Sequence, residues 1–448
     1  MGNLLIAYSL MQHPPRATVR DALYSFERHS DHRCFYLNLA VRRVPRWLAR
    51  VDFDAVVFQT TLLSERWLPD VFARVRRRAE PLKQIDAVKV ALPQDEFYRS
   101  RDVCDFVEDF GVDHIFSVAP ESEWPELYGS LDRDRVGISR VLTGYLSSDS
   151  LAKAGAAAES ATERPLDIGY RAFPASPWWG REGRLKLDIA DAVAREAAGR
   201  DLRTDISTEV ADTIHGDAWY RFLASAKYTL GAEGGASIHD PEGQIMERSK
   251  RYLAEHPEAD VAEVEAACFP DAEGSLALDA LSPRQLEACA TRTCQILVEG
   301  DYNGILRAGE HYIPVKRDLS DVAAALDAVQ RDELRAEIVE RAHRDVVVSG
   351  AYTYESFVGK VEEEIAAVAE RIGKPSSEGT MNSSTAHRAA ALADRASSSW
   401  VALYLTVVGT LRPLVVRVVP ERGLAWLRRR LAGRAVETAS VESALKER

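Results

Sequence analysis

The residues best suited to chemistry in this 448-residue chain lie in Leu276–Leu306, which reads LALDALSPRQLEACATRTCQILVEGDYNGIL. Ser282, Pro283 and Gln285 predict a helix start, with the serine as N-cap, the proline at the first helical position and the glutamine closing a capping box. A helix N-terminus presents unpaired backbone N–H groups and the positive end of a dipole, which suits an anion. Arg284 adds a guanidinium that fits phosphate.

An acidic residue follows one turn into this helix. Glu287 can accept hydrogen bonds from vicinal hydroxyls such as a ribose diol, and Asp279 precedes it by eight residues, in the loop before the helix. The alternative explanation is an ordinary capped helix that leads into the buried strand Cys294–Val298. The order of the surrounding elements decides between the two.

Two further stretches of the second half carry charged or flexible residues. In LDIGYRAFPASPWWGREGRLK, a strand ends at Tyr170, Arg171 follows at its carboxyl end, and Lys186 lies near the start of the next helix. In GAEGGASIHD, Glu233 and Gly234 stand in a glycine-rich loop whose backbone can approach a ligand closely. The alternatives are solvated basic residues at a domain edge and a loop that only turns the chain.

The first domain offers two candidates at strand ends. His13, in QHPPRAT, follows the first strand and is a candidate general base or acceptor contact, although a histidine in a proline-rich loop is often structural. Asp95, in PQDE, follows the strand Ala87–Leu92 and is a candidate for binding acceptor hydroxyls. The chain contains no G-x-S-x-G turn, Walker A loop, HExxH helix or dinucleotide fingerprint, so hydrolase, nucleoside-triphosphatase, zinc-protease and nicotinamide functions lack support.

Alternation of apolar strands and amphipathic helices predicts two doubly wound α/β domains. The nearly unbroken apolar runs are typical of strands buried on both faces of a parallel sheet. A small, polar segment, 147–164, is the expected interdomain linker, so the domains are 1–150 and 165–374, and a second polar segment, 375–399, is expected to be a flexible tether. Predicted strands are Leu4–Ser9, Cys34–Leu39, Ala55–Gln59, Ala87–Leu92, His114–Val118, Val136–Ser139, Leu166–Tyr170, Lys227–Gly231, Cys294–Val298 and Tyr312–Val315; the helices Val322–His343 and Tyr354–Ile372 are predicted to close the second domain.

With its elements in this order, the chain resembles the group 1 glycosyltransferases, in particular bacterial members with an S-P-R-x-x-E-A segment before a buried strand and an acidic glycine loop. The resemblance covers roughly 164–321 well and the first domain more loosely. It implies the GT-B architecture, in which two Rossmann-like domains face a cleft. It also implies a pair of acids separated by seven residues, here Asp279 for the donor sugar and Glu287 for the ribose, with Glu233 as the rival sugar contact.

The resemblance further implies that Arg171 and Lys186 neutralise the donor diphosphate, with Arg184 as the substitute for either. The expected function is transfer of a sugar from a nucleotide sugar to a saccharide or lipid-linked saccharide, in bacterial surface polysaccharide or glycolipid synthesis. The nucleotide sugar is a substrate, and neither a cofactor nor a metal is expected. A sugar-nucleotide epimerase or hydrolase, and a catalytically degenerate sugar-binding scaffold, are the alternatives.

The tail 400–448 follows a different pattern. Trp400–Val419 is apolar but contains Arg412, Pro413 and Arg417, which disfavours a membrane span. Between Trp400 and Arg434 there are seven arginines and one acid, and leucines 424, 427 and 431 share a helical face, which is typical of an interfacial helix on anionic lipid. Packing against the protein's own body or against a partner are the alternatives.

Composition and charge set the remaining expectations. The net charge of −12 argues against nucleic acid as a partner. Five scattered cysteines without a CxxC pair indicate reduced thiols, and the N-terminus lacks the features of a signal peptide. We therefore expect a cytoplasmic protein, peripheral on the inner face of the cell membrane.

Overall fold

The computed structural model describes residues 2–161, 163–373 and 383–418, with side chains to residue 407. It contains two doubly wound α/β domains. The strands are β1 (Asn3–Tyr8), β2 (Arg33–Asn38), β3 (Ala55–Phe58), β4 (Val88–Ala91), β5 (His114–Ser117), β6 (Gly137–Arg140), β7 (Leu166–Arg171), β8 (Thr204–Ser207), β9 (Ala226–Gly231), β10 (Gly234–Ala236), β11 (Leu278–Ala280), β12 (Cys294–Val298) and β13 (Ile313–Val315). The helices are α1 (Ala17–Leu23), α2 (Ser25–His29), α3 (Thr60–Leu63), α4 (Pro69–Ala79), α5 (Ser100–Phe110), α6 (Trp124–Tyr128), α7 (Ser148–Ser160), α8 (Gly180–Ala197), α9 (Asp217–Ser225), α10 (Gln244–Glu255), α11 (Val261–Cys268), α12 (Pro283–Ala290), α13 (Val322–Ala328), α14 (Asp332–Ala342), α15 (Tyr354–Arg371) and α16 (Ser383–Val418).

The first domain has a six-stranded sheet in the order β2-β1-β3-β4-β5-β6, with all neighbours parallel. Alternate residues of β1 enter different layers: Leu5 and Ala7 face one apolar cluster, Leu4 and Ile6 the other. Helices cover both faces of the sheet, which explains why the strands are apolar throughout.

The second domain has a five-stranded parallel sheet in the order β13-β12-β9-β7-β8. The chain reverses direction across the sheet at β7, which has β8 on one side and β9 on the other. Such a reversal leaves a crevice outside the carboxyl ends of the two strands concerned. A ligand site is therefore expected at the ends of β7 and β9.

The predicted fold class, two doubly wound domains in the GT-B architecture, is confirmed. Each predicted strand is present within one residue of its predicted bounds. The segment predicted to be an interdomain linker, 147–164, is not irregular, because the helix α7 occupies most of it. Ser147 caps this helix with a capping box, and Ala154 and Ala157 are buried against α9 and α12.

The two last helices correct the sequence analysis further. Helix α15 was expected to close the second domain, but Phe357, Val358 and Val361 pack in a cluster with β1, β3 and β4 of the first domain. Residues 383–399 were expected to belong to a flexible tether, but they form the first half of α16, which lies against β2. Residues 375–382 of the predicted tether, and the tail from 419 onward, lie outside the described residues.

The connection between β9 and α12 joins the two domains. It carries β10, α10, α11 and β11, and its residues Ile238, Ile245 and Val264 lie in an apolar cluster of the first domain. Backbone hydrogen bonds of 2.8 Å run from Asp240 N–H to the Phe97 carbonyl and from Arg99 N–H to the Asp240 carbonyl. This connection holds the carboxyl edges of the two sheets next to each other.

Candidate functional site

A cavity of about 220 Å³ lies at the ends of β7 and β9, where the reversal of strand order predicts a crevice. Its wall includes Gln295, near the start of β12, and the N-terminal turn of α12. Seven of the residues singled out in the sequence line it: Arg171, Lys186, Glu233, Gly234, Ser282, Arg284 and Gln285. Asp279, Glu287, His13 and Asp95 are outside this lining.

Two cations face the cavity. Lys186, on α8, has its Nζ 5.0 Å from the centre of the Trp179 ring. Arg284, in the first turn of α12, donates from Nη1 to the Arg171 carbonyl at 2.7 Å and lies over the Trp219 ring at 5.5 Å. Among the described residues, neither cation has a carboxylate within ion-pair distance. An anion entering the cavity would meet both.

The environment of Lys186 also changes its titration. Burial lowers the pKa of Lys186 to about 8, the positive charge of Arg284 acts in the same direction, and Asp95 of the first domain opposes them. Asp95, which follows β4 of the first domain, is thus near enough for its charge to act on the lysine. Lys186 is therefore a cation at neutral pH that a phosphate would stabilise further.

Arg171 lines the cavity, but its guanidinium is held by other groups of the protein. Nη2 forms an ion pair with Asp205 of β8 at 2.8 Å, Nη1 donates to the Tyr170 and Asp205 carbonyls, and the guanidinium lies 4.5 Å from the Phe222 ring. A side chain with these partners is not available to a diphosphate without breaking them. Arg284, by contrast, lines the cavity without an ion-pair partner among the described residues.

The start of α12 differs in detail from the expectation. Ser282 is the N-cap and Pro283 the first helical residue, but the serine side chain makes no capping hydrogen bond. The predicted capping box is therefore wrong. Gln285 instead turns into the interior and donates from Nε2 to the Ala232 carbonyl at 3.0 Å, which ties α12 to the loop after β9.

Glu287 lies behind the aromatic wall of the cavity. Its Oε2 accepts from the Trp219 indole N–H at 2.7 Å, and its Oε1 accepts from the Tyr220 hydroxyl at 3.3 Å. Burial raises the pKa of Glu287, while these two donors lower it. The carboxylate fixes the orientation of Trp219 and retains acceptor capacity, because a carboxylate has about four lone-pair sites.

Glu233 and Asp279 form an acidic group beside the cavity. The Glu233 carboxylate accepts from the backbone N–H groups of Tyr302 and Asp301 at 2.7 and 3.1 Å. Burial, followed by the charge of Asp279, raises the pKa of Glu233 to about 7. Asp279 sits on β11, paired with Gly235 of β10, and burial followed by the charge of Glu182 raises its pKa.

Glycine is required next to this group. A Cβ on Gly300 would lie 2.0 Å from Oε2 of Glu233. Any other residue at position 300 would therefore push the carboxylate off its two backbone donors. Arg317 supplies the nearby positive charge and forms an ion pair with Glu182.

The first-domain candidates lie at the facing edge. Asp95 has a left-handed backbone, with φ of 53°. The loop that contains Asp95 is held by the side chain of Arg66, which is 0% exposed. The Arg66 guanidinium donates to the carbonyls of Gln94, Asp95 (2.6 Å) and Tyr98 (3.0 Å). His13 is exposed in the loop after β1.

Four residues that shape the site were missed by the sequence analysis: Trp219, Glu182, Arg317 and Arg66. A signal existed for Trp219, since the aromatic run WYRF directly precedes β9 and so must lie near its sheet. No local pattern marks the other three, because their partners are distant in sequence. Among the described residues there is no group of three histidine, cysteine, aspartate or glutamate side chains placed to hold a metal ion.

No protein-family model matches the chain, and no curated protein matches it in sequence. Solved structures resemble its fold. Anabaena Alr3699/HepE in complex with UDP-glucose has a TM-score of 0.45 at 8% identity, covering 82% of this chain and 100% of that one. A UDP-forming alpha,alpha-trehalose-phosphate synthase from Burkholderia vietnamiensis has a TM-score of 0.45 at 9% identity with the same coverage, and a glycosyltransferase from Rickettsia africae ESF-5 has 0.42 at 11%, covering 82% and 98%. At these values the function has to be inferred from this chain's own residues.

Proposed function

We propose that the protein is a glycosyltransferase that binds a nucleotide sugar in the second-domain cavity and transfers the sugar to an acceptor held by the first domain. One observation carries the proposal. Two cations without carboxylate partners among the described residues, Lys186 and Arg284, face a cavity at the reversal of strand order, beside the N-terminus of α12. A diphosphate is the ligand that suits this arrangement.

The same arrangement suits the reaction. When the bond between the sugar and the diphosphate breaks, negative charge builds on the leaving phosphate. Lys186 and Arg284 are already in place, so they stabilise that charge without reorganisation. Because the Arg171 guanidinium is held by Asp205 and backbone carbonyls, we assign the diphosphate role expected of Arg171 to Arg284, while Lys186 keeps the role that the resemblance implies.

The other candidate residues take positions around this diphosphate. Glu287 accepts from the ribose hydroxyls or holds Trp219 against the nucleoside, and Glu233, Gly234 and Asp279 lie where the donor sugar extends beyond the phosphates. Ser282 contributes its backbone at the start of α12. Asp95 and His13 of the first domain bind the acceptor, and either can accept the proton that the acceptor hydroxyl loses.

The acceptor we propose is a saccharide or lipid-linked saccharide of bacterial surface polysaccharide or glycolipid synthesis. It is favoured by the arginine-rich tail 400–434, for which we propose binding to the anionic inner face of the cell membrane. Within the described residues, no helix has the length and apolar character needed to cross a bilayer. We propose a cytoplasmic, peripheral protein that requires no metal.

A two-step experiment tests the reaction. Calorimetric titration with a panel of nucleoside diphosphates first identifies the base that binds, and the matching nucleotide sugars are then incubated with and without saccharide acceptors. A transferase releases nucleoside diphosphate faster when the acceptor is present. A hydrolase releases it at the same rate without acceptor, an epimerase converts the sugar nucleotide without release, and a binding protein does neither.

A further inference from the structure

A second positively charged surface lies on the first domain, remote from the cavity in sequence. Residues 33–51, which include β2 and the loop after it, contain five arginines and no acidic residue in a chain whose net charge is −12. Arg43, Arg46 and Arg50 are exposed, and Arg42 is half-buried. None of these four has an ion-pair partner among the described residues. Unpaired arginines at this density attract an anionic surface.

The loop that carries these arginines is ordered from within the domain. Arg78, at the end of α4, donates to the Leu39 carbonyl at 2.8 Å and also to the Ala40 carbonyl. Trp47 packs partly buried against the core. The guanidinium groups of Arg43 and Arg46 therefore stand on a fixed support.

Helix α16 brings an apolar face to the same end of the sheet. His387 hydrogen-bonds the Cys34 carbonyl at 3.1 Å, near the start of β2, while Asp394 accepts from the Tyr8 hydroxyl at 2.6 Å, at the end of β1. The helix thus advances toward the carboxyl ends of the strands. Residues 400–407 lie about 9–20 Å farther along its axis, at 1.5 Å per residue.

Three of the four exposed residues of α16 within 400–407 are large and apolar; the fourth is Thr406. Trp400, Leu403 and Val407 are 48%, 62% and 44% exposed, and they share one flank of the helix. The helix also packs against β2, the strand that leads directly into the arginine-rich loop. In agreement with this packing, burial raises the pKa of Asp394 and the positive charge of Arg42 opposes that effect. The chain beyond, to Arg434, adds seven arginines.

We propose that the loop Arg42–Arg50 and the flank Trp400–Val407 of α16 together form one membrane-docking surface, whose occupant is a bilayer of anionic lipid. Cationic side chains beside exposed tryptophan and leucine match the interfacial region of such a bilayer. The inference rests on the tail binding proposed above and extends it to the first domain. Docking through this surface would place the carboxyl edge of the first sheet, where Asp95 and His13 lie, next to the bilayer.

Vesicle flotation with the full chain tests the surface. Vesicles of phosphatidylcholine alone are compared with vesicles that also contain phosphatidylglycerol. The double variant Arg43→Gln/Arg46→Gln should partition roughly thirtyfold less onto the anionic vesicles, the loss expected when two arginines leave an anionic surface. The matched control Arg195→Gln/Arg248→Gln removes two exposed arginines from other faces and should partition like the wild type.

Two further variants separate the parts of the proposal. Trp400→Ser/Leu403→Ser should still be captured at low salt but should be released completely at high salt, where the wild type stays partly bound. Arg428→Gln/Arg429→Gln weakens the tail alone. If only this tail variant loses binding while Arg43→Gln/Arg46→Gln floats like the wild type, the first-domain surface is refuted and the tail proposal stands; if the wild type never floats, both are refuted. Unchanged nucleoside diphosphate affinity confirms that each variant is folded.

Discussion

The facing edges of the two domains are built from the same topology but use charge in opposite ways. At the edge of the second domain, Lys186 and Arg284 have no carboxylate partners among the described residues and face a cavity. At the edge of the first domain, the buried Arg66 is satisfied by four backbone carbonyls, and the buried Glu96 accepts from Tyr128, Ser117 and Val118. One edge leaves its charges for a ligand, and the other uses its charges to shape a loop.

The difference separates two uses of a charged side chain, which are to bind a ligand and to fix the conformation of a loop. A cation that is satisfied inside the protein has little left for a ligand, whereas an unpartnered one gains a strong interaction when an anion arrives. The first-domain edge therefore positions Asp95, and the second-domain edge holds the phosphates. Substitutions at the first-domain edge should therefore lower stability, and substitutions at the second-domain edge should lower donor binding or turnover.

The largest effect should follow Arg66→Met. The variant removes the donors for the carbonyls of Leu63, Gln94, Asp95 and Tyr98 inside the core, which should lower the free energy of unfolding by about 3–5 kcal/mol. Urea denaturation measures the loss, and Arg66→Lys, which keeps the charge but has fewer donors, should lose less. If Arg66→Met unfolds with wild-type stability, the loop does not depend on this residue.

Next in size is Lys186→Met. It should lower turnover about 100-fold and weaken nucleotide-sugar binding by less, because the charge on the leaving diphosphate is larger in the transition state than in the bound donor. Steady-state kinetics and calorimetry on the same variant separate the two effects. Lys186→Arg, which keeps a cation, serves as the control; equal losses in binding and turnover would contradict a role in stabilising the leaving group.

The pair Arg284→Ala and Arg171→Ala sharpens the assignment within the cavity. Arg284→Ala should weaken nucleoside diphosphate binding by about 1–3 kcal/mol, the range for a hydrogen bond to a charged group. Arg171→Ala should chiefly lower the melting temperature, because it breaks the ion pair with Asp205 rather than a ligand contact. Calorimetry and thermal unfolding of both variants decide, and the reverse pattern would restore Arg171 to the diphosphate.

Some of these structural features could be predicted from the sequence, and others could not. The buried strands were predictable because short, unbroken apolar runs are typical of strands that are covered on both faces of a parallel sheet. Helix α7 was missed because its alanine, serine and glycine content matched a linker, although alanine is the best helix former and small side chains allow close packing. Helix α15 was recognised, but its periodicity shows only that one face is apolar, not which sheet that face covers.

The same limit applies to the site. The position of Arg171 at a strand end was predictable, since parallel strands share their carboxyl edge. The direction of its guanidinium was not, because it depends on Asp205 of β8, a strand that the sequence analysis did not predict. Arg284 was singled out because it lies at a helix start, where local sequence and anion binding coincide. Lys186 was singled out through the resemblance, and it lies in the second turn of α8, which begins at Gly180.

A smaller effect is expected at Glu287, which lies behind the aromatic wall of the cavity. Glu287→Ala should weaken binding of the donor nucleotide by about 1–3 kcal/mol, either by losing a ribose contact or by releasing Trp219. Trp219→Phe distinguishes the two, because it keeps an aromatic wall and removes the indole N–H that Glu287 accepts. If Glu287→Ala binds nucleotide like the wild type while folded, the carboxylate has no part in the donor site.

The smallest effect, and the most specific to the unpartnered cations, is a pH dependence of donor binding. The pKa of Lys186 is lowered to about 8, so the side chain is charged below that pH and loses its charge above it. Donor affinity should therefore fall as pH rises through 8, by up to about tenfold per unit while the complex keeps the proton. A nucleotide sugar is the appropriate ligand, because its diphosphate diester does not titrate near neutral pH. Glu233, with its pKa raised to about 7, gains charge just below this range, so Glu233→Gln serves as the background in which the titration is repeated. In that background the fall should remain, Lys186→Arg should abolish it, and Lys186→Met should give weak binding at every pH. If the affinity still falls in Lys186→Arg, a group other than this lysine causes the pH dependence of donor binding.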